Sequence, residues 1–371
     1  MTARNRVVLI QREIIRHYRV PIYNALSRAL DDVGMALTVI GDDIETTNPH
    51  PVDFDLRLAN KSSYRFIQQI RIVRPHVIVA FMSLKTPMVW WVLLIGKMAG
   101  VPVISWRHAI DLSRPNNVVR RLLYYLMSWV ANQTLLYSVS ELDYLPRTIH
   151  WKTHVANNTL DFSSVPTVDE AKDNLRRRYG VSETKVVLFV GRIQPRKKLK
   201  DLLSLFEHES FRHSALVVIG SGATRHLATR MARQPNVYPI GGLYDPVKKA
   251  ELFTMADVFC IPGAVGLGIV EAFYWGLPIV TRRDECHGPE IGYLKDGVNG
   301  YLACGGLDFR KKLLELLQSD SIRAEMSANA RKTYEREATV SCMINGFVSA
   351  IGAAVRSSYI PGSVRSDIEG I

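Results

Sequence analysis

The chain has 371 residues, of which 47% are apolar, 22% charged and 9% aromatic, with a formal net charge of +12. That length accommodates two domains, each with its own core, and the composition excludes a disordered or low-complexity chain. The cation excess favours anionic partners (nucleotides, phospholipid headgroups or nucleic acid) without choosing among them.

The opening run Val7–Ile10 predicts a first strand, too short for the apolar core of a signal peptide. A polar loop, Gln11–Arg19, leads to a helix over Pro21–Leu30, whose early proline suits a helix start. A strand over Met35–Ile40 follows, and Asp42–Tyr64 is polar and irregular. A helix over Phe66–Arg74, a strand over His76–Phe81, an apolar helix from Met88 and a strand over Val101–Trp106 come next. Met88–Ile104 is broken by Gly96, Lys97, Gly100 and Pro102, which argues against a membrane span of about twenty clean apolar residues. Alternating strands and helices predict a parallel sheet covered on both faces, with ligands beyond the carboxyl ends of the strands.

Three loops at those ends carry candidate chemistry. The first holds Arg12, Arg16, His17, Tyr18 and Arg19; the second Ser83 and Lys85; the third Arg107, His108 and Asp111. A loop histidine is more often structural than catalytic, but His108 lies just past a buried strand. Asn117–Ala131 is an apolar and aromatic helix with paired arginines. It reads either as a core helix with a solvated end or as a patch that leans on a membrane or a lipid-linked substrate.

Thr134–Ser138 and the segment ending at Val155 are further strands, and a helix over Thr167–Gly180 opens the second half. A second series follows, with strands at Val186–Val190, Ala215–Ile219 and Val237–Ile240 and a helix over Asp245–Met255. The loop Gly191–Lys198 brings Arg192 and Lys197 to a strand-to-helix turn, where two cations can converge on a phosphate. Gly220 and Gly222, weak evidence alone, end the next strand at the same sheet edge. The four cysteines form no CxxC pair and are expected as reduced structural thiols.

Val258–Glu290 organises this half. A strand breaks at Pro262–Gly263, and a turn from Gly263 to Gly268 feeds a helix carrying Glu271 that stops at Gly276. A second strand, Pro278–Thr281, completes a βαβ unit whose turn suits an anion. Phe309–Phe347 reads as leucine-rich helices, and Pro361–Ile371 as a frayed end.

The segments VVLFVGRIQPRKKLKDLL, ALVVIGSG, VYPIGGLYDPVKKAELFTMADVFCIPG, GLGIVEAFYWGLPIVT and KDGVNGYL, in this order from about Leu175 to Leu317, resemble the nucleotide-sugar domain of retaining GT-B glycosyltransferases, the glycosyl transferases group 1. RVPIYNAL, RPHVIVAF, VPVISWRHAID and the YSVSE segment resemble the acceptor domain more weakly. The resemblance implies an α/β fold of GT-B type, with two Rossmann-like domains whose parallel sheets face a cleft. It places an acceptor domain at 1–162, a donor domain at 163–345 and a helix or tail at 346–371 that packs back toward the first domain.

By the same resemblance, Arg192 and Lys197 would neutralise the departing diphosphate and Glu271 would hold the ribose. Backbone near Leu243 would contact the base. Gly220, Gly222, Gly263, Gly266, Leu267 and Gly268 would line the donor, and His108 would reach the donor sugar. Arg16, His17, Tyr18 and Arg19 are the acceptor-side candidates. The family often has a glutamate where this chain has Gly263, so sugar recognition differs or activity is altered. The PGAVGL form looks like a subgroup found among polysaccharide-assembly transferases.

The implied activity is retaining transfer of a sugar from a UDP- or GDP-sugar to a glycan or lipid-linked acceptor in bacterial cell-surface polysaccharide assembly. Neither a metal nor any other cofactor is expected, and the expected location is cytoplasmic, at the inner membrane face, through peripheral contact. The competing readings are a sugar-nucleotide epimerase on the same fold and a basic nucleic-acid-binding protein, for which no recognition motif is present.

Overall fold

The computed structural model describes residues 5–84, 88–112, 114–243 and 245–359. They form two compact units: one runs to Asp161 and resumes at Val340, the other is Phe162–Thr339. The first unit comprises β1 (Asn5–Ile15), α1 (Val20–Asp32), β2 (Met35–Ile44), β3 (Asp55–Leu58), α2 (Ser63–Val73) and β4 (Val77–Phe81), then α3 (Met88–Met98), β5 (Val103–Trp106), α4 (Val118–Val130), β6 (Gln133–Leu136) and β7 (Thr153–Val155). Its seven strands are parallel, in the order β3-β2-β1-β4-β5-β6-β7.

The second unit comprises α5 (Lys172–Arg178), β8 (Lys185–Val190), α6 (Leu199–Phe206), β9 (Ser214–Ile219), α7 (Arg225–Arg233), β10 (Val237–Gly241) and α8 (Pro246–Met255). It continues with β11 (Val258–Cys260), α9 (Gly268–Tyr274), β12 (Ile279–Arg282), β13 (Gly300–Ala303), α10 (Gly305–Gln318) and α11 (Asp320–Glu337). Its six strands are parallel, in the order β10-β9-β8-β11-β12-β13. In each unit the strand order reverses beside the first strand, the point at which an open parallel sheet leaves room for a ligand.

The helix α12 (Val340–Tyr359) returns the chain to the first unit. Its Met343, Phe347 and Ile351 are buried with Trp106, Leu135 and Tyr137 on the sheet face that α1 also covers. The opposite face is covered by α2, α3 and α4 through Phe66, Leu93, Tyr124 and Met127. The stretch Asp320–Ser357 is long and apolar enough to cross a membrane, but here Met343, Phe347, Ile351 and Ala354 of α12 are buried in the core of the first unit.

Four expectations are corrected. The strand β1 runs on to Ile15, because β2 also extends and pairs Ile14 with Asp43 and Ile15 with Ile44 beyond a bulge. Arg12 therefore lies in a strand, 3.2 Å from Asp42, and not in the loop. The polar segment Asp42–Tyr64 contains an edge strand, β3, aligned on β2 from Thr38 to Gly41. The helix expected over Thr167–Gly180 is confined to α5, and the boundary expected between 345 and 346 falls inside α12, the change of unit coming before Val340. Lys85 and Pro361–Ile371 lie outside the described residues.

Candidate functional site

The second unit brings most of the donor candidates to the carboxyl ends of β8, β9, β10 and β11. After β8 the chain crosses the end of β9: Gly191 N–H donates to the Ile219 carbonyl at 2.9 Å and Ile193 N–H to Ser221 at 2.8 Å. This crossing needs a glycine at 220, where a Cβ would stand 2.1 Å from the Gly191 carbonyl oxygen. At Gly222 a side chain would stand 3.9 Å from the Arg192 Cγ, and at Gly191 the same distance from the Lys197 Cε. Both cations thus lie along one glycine-lined edge.

A 3-10 turn, Pro195–Lys197, follows, and Lys198 in the left-handed region (φ 53°) redirects the chain into α6. Lys198 is ion-paired with Glu285. Burial brings the Lys197 ammonium down to about 8, with the neighbouring Arg196 charge acting in the same direction and Glu290 opposing it. A cation held partly out of water is disfavoured until an anion joins it.

The turn after β11 straps itself to this loop. Gly263 N–H donates to the Lys197 carbonyl at 3.2 Å, Ala264 N–H to Arg196 at 2.8 Å, and Thr281 Oγ1 donates to the Gly263 carbonyl at 3.3 Å. A Cβ on Gly263 would stand 2.1 Å from the Arg196 carbonyl oxygen. A glutamate at this position, as the resemblance would suggest, has no room to start, and a close backbone approach occupies its place.

Gly266 and Leu267 are half-buried in the same turn, and Gly268 begins α9 against the ring of Phe259. With seven residues, α9 is shorter than the helix expected to Gly276. Its Glu271 is 9% exposed and ion-paired with Lys249 of α8. The half-buried Leu243 lies between β10 and α8, in the loop that leads to that lysine.

The sequence reading did not assign Lys249, His287 or Glu290. His287 Nδ1 accepts from Val265 N–H at 3.2 Å, so Nε2 carries the proton and donates to the Arg282 carbonyl at 2.6 Å. Burial lowers the pKa of this ring, which keeps it neutral and able to brace the turn after β11 from both sides. Glu290, 3% exposed, sets an oxygen 3.4 Å from where a Cβ on Gly266 would be. The adjacency His287-Gly288-Pro289-Glu290 was the available signal.

The first unit holds the remaining candidates. His108 follows β5, with Nδ1 3.1 Å from Glu141 and its ring tilted on Tyr137 at 4.7 Å. The buried Glu141 also accepts from Ala109 N–H at 3.1 Å and from Tyr137 N–H at 2.9 Å, so it fixes the loop as well as the imidazole. Fully buried Arg107 ties this loop to α4 through the Tyr124 carbonyl at 2.7 Å and through Ser128.

Among the acceptor-side candidates, Arg16 and His17 are engaged by Glu45 at 3.1 and 2.7 Å. Those contacts, with His17 N–H first among them, hold the Glu45 carboxyl down to about 2. Tyr18 meets His17 edge to face at 5.6 Å. Arg19 is buried, its guanidinium over the rings of Trp106 and Tyr18 at 5.3 and 5.5 Å and of Tyr137 at 5.7 Å. It belongs to the packing beneath the His108 loop more than to an open surface.

Residues 171–333 match the family described as glycosyl transferases group 1. A D-inositol 3-phosphate glycosyltransferase of Corynebacterium glutamicum is 29% identical over 206 residues, which cover 50% of this chain and 49% of that protein. The chain thus spans about half the length of that relative.

Two solved structures are similar over nearly the whole chain. Anabaena HepE, in complex with UDP and glucose, superposes with a TM-score of 0.68 at 15% identity, covering 93% of this chain and 99% of that one. WaaG, a glycosyltransferase involved in lipopolysaccharide biosynthesis, superposes with a TM-score of 0.63 at 15% identity, covering 93% and 98%. At such identities the likeness speaks for the fold alone. The family match is confined to the second unit, while the two parallel sheets and the superposed structures show that the chain carries the GT-B fold.

Proposed function

We propose that this chain transfers a sugar, with retention at the anomeric carbon, from a nucleotide-sugar donor held by the second unit to a glycan or lipid-linked acceptor in polysaccharide assembly. The observation that carries the donor reading is Lys197, a partly desolvated cation among backbone turns beside Arg192 and the glycines of β8 and β9. The burial that lowers its pKa is offset when a diphosphate arrives. UDP in HepE and the lipopolysaccharide role of WaaG favour a uridine donor and a cell-surface product by analogy.

In this reading the bond from the anomeric carbon to the diphosphate oxygen breaks, and a bond to the acceptor oxygen forms on the same face. The acceptor hydroxyl proton passes to a leaving phosphate oxygen. Arg192 and Lys197 stabilise the developing charge, so the step is written without a metal. Glu271 leaves Lys249 to accept from the ribose hydroxyls.

Thermal melting with UDP, GDP, dTDP and ADP in EDTA tests this directly. A ligand at a hundred times its dissociation constant adds about 2.7 kcal/mol to the state that binds it. One nucleotide should raise the melting temperature, and Arg192→Ala or Lys197→Ala should abolish the rise while leaving the unliganded melt nearly unchanged. Equal shifts in wild type and both variants would remove the cations from the site.

A further inference from the structure

The outer side of α2, α3 and α4 is unusual for a helical layer over a sheet. Each helix covers the sheet with its inner side, so its outer residues have no core left to join. On α4, Val118, Val119, Leu122, Leu126 and Trp129 are 42 to 75% exposed, and on α3, Trp91, Leu94, Ile95 and Met98 are 45 to 80% exposed. Of the 22 large apolar side chains exposed among the described residues, these three helices hold 13. Scattered exposed apolar residues are ordinary, but a contiguous layer of them marks an interaction surface. A groove of about 590 Å³ between α2 and α3, lined by Phe66, Ile70, Trp91 and Ile95, adds to it.

Charge selects the occupant. The three helices carry Arg65, Arg71, Lys97, Arg120 and Arg121 and not one acidic residue, in a chain with 35 Asp and Glu. Arg65, Arg71, Lys97 and Arg121 are exposed beside the apolar residues, while Arg120 is paired with Asp111. Tryptophan and aliphatic groups flanked by arginine and lysine that can reach upward suit the boundary between headgroups and acyl chains.

We infer that α2, α3 and α4 form a docking surface for an anionic phospholipid bilayer, with Trp91, Leu122 and Trp129 entering the interface and the exposed cations meeting lipid phosphates. The surface belongs wholly to the first unit and shares no residue with the donor candidates of the second.

Flotation of the full chain with vesicles tests the inference. The chain should rise with phosphatidylcholine vesicles that contain phosphatidylglycerol and stay behind with phosphatidylcholine alone. Salt should weaken the partition. Arg121→Glu should lower it about fivefold or more, since each cation near such a surface contributes about that factor. Leu122→Glu with Trp129→Glu should abolish it. These positions are exposed, so the variants should keep the wild-type melt and its nucleotide-induced shift, which separates loss of docking from loss of fold or of the donor site. Failure of wild type to float with the mixed vesicles would overturn the inference. So would equal flotation of the double variant, or a wild-type dimer that the same substitutions convert to monomer without lipid, which would assign the face to a second copy.

Discussion

The resemblance to group 1 glycosyltransferases sets Gly263 at a glutamate position, and its surroundings decide what a glutamate there would do. A Cβ there meets the Arg196 carbonyl oxygen at 2.1 Å and the Lys197 carbonyl carbon at 2.7 Å, backbone that cannot swing aside. Gly263→Glu should therefore destabilise the second unit by about 1–3 kcal/mol, the usual cost of overpacking. In a domain of this size that is a fall of roughly 2–4 °C in Tm per kcal/mol. It should also weaken nucleotide binding, because the loop that must move carries Lys197. A variant that melts like wild type and binds UDP more tightly would show that the glycine is a simple loss.

Lys197 should also make ligand affinity depend on pH. Its free-state value of about 8 must rise when a diphosphate joins it, so binding above that pH takes up a proton. Affinity should be level below pH 8 and fall as pH rises through it, by up to about tenfold per unit. Lys197→Arg, whose charge does not titrate in this range, should flatten the profile when Kd is measured across pH. The same fall in the arginine variant would assign the titration elsewhere.

Among elements, α12 shows how packing overrides composition. Phe347 lies edge to face against Trp106 at 5.0 Å, with no exposed surface. Gly346 lets the helix lie on β7, since a Cβ there would stand 2.1 Å from the Val155 carbonyl oxygen. Phe347→Ala should cost about 3–5 kcal/mol, read by chemical denaturation, whereas a loss under about 1 kcal/mol would contradict so tight a seat. Hydrophobic runs made the central strands legible in the sequence. The edge strand β3 was not, because an edge strand with polar residues lacks the continuous apolar signal of a buried parallel strand. The extension of β1 past Gln11 was hidden for the same reason: Arg12 and Glu13 look like loop, yet Arg12 is held by Asp42 and by the ring of Phe66. The glycine turns after β9 and β11 were legible as turns because Gly220 and Gly263 are fixed by close backbone approach. Lys249 and Glu141 were not, since each acts through a partner distant in sequence, Glu271 and His108.

At the scale of the whole chain, the path matters as much as the elements. The first unit is left at Asp161 and completed only by α12, after the second unit has been built from Phe162 to Thr339. Met343, Phe347 and Ile351 are at most 1% exposed, on a sheet face that no other described helix except α1 covers. Fully burying each such side chain contributes about 1.5–3 kcal/mol, so together they rival the roughly 5–15 kcal/mol that holds a typical domain together. A chain that ends at Thr339 should therefore lose the cooperative melt of the first unit and bind a hydrophobic dye there. The second unit, whose core and donor turns are complete by that point, should keep its own transition and its shift with nucleotide. If the shortened chain melted like the full one, α12 would be an accessory and the first unit's core would need redrawing. If it lost both transitions, the two units would fold as one, and a mutation in either would be felt by the other.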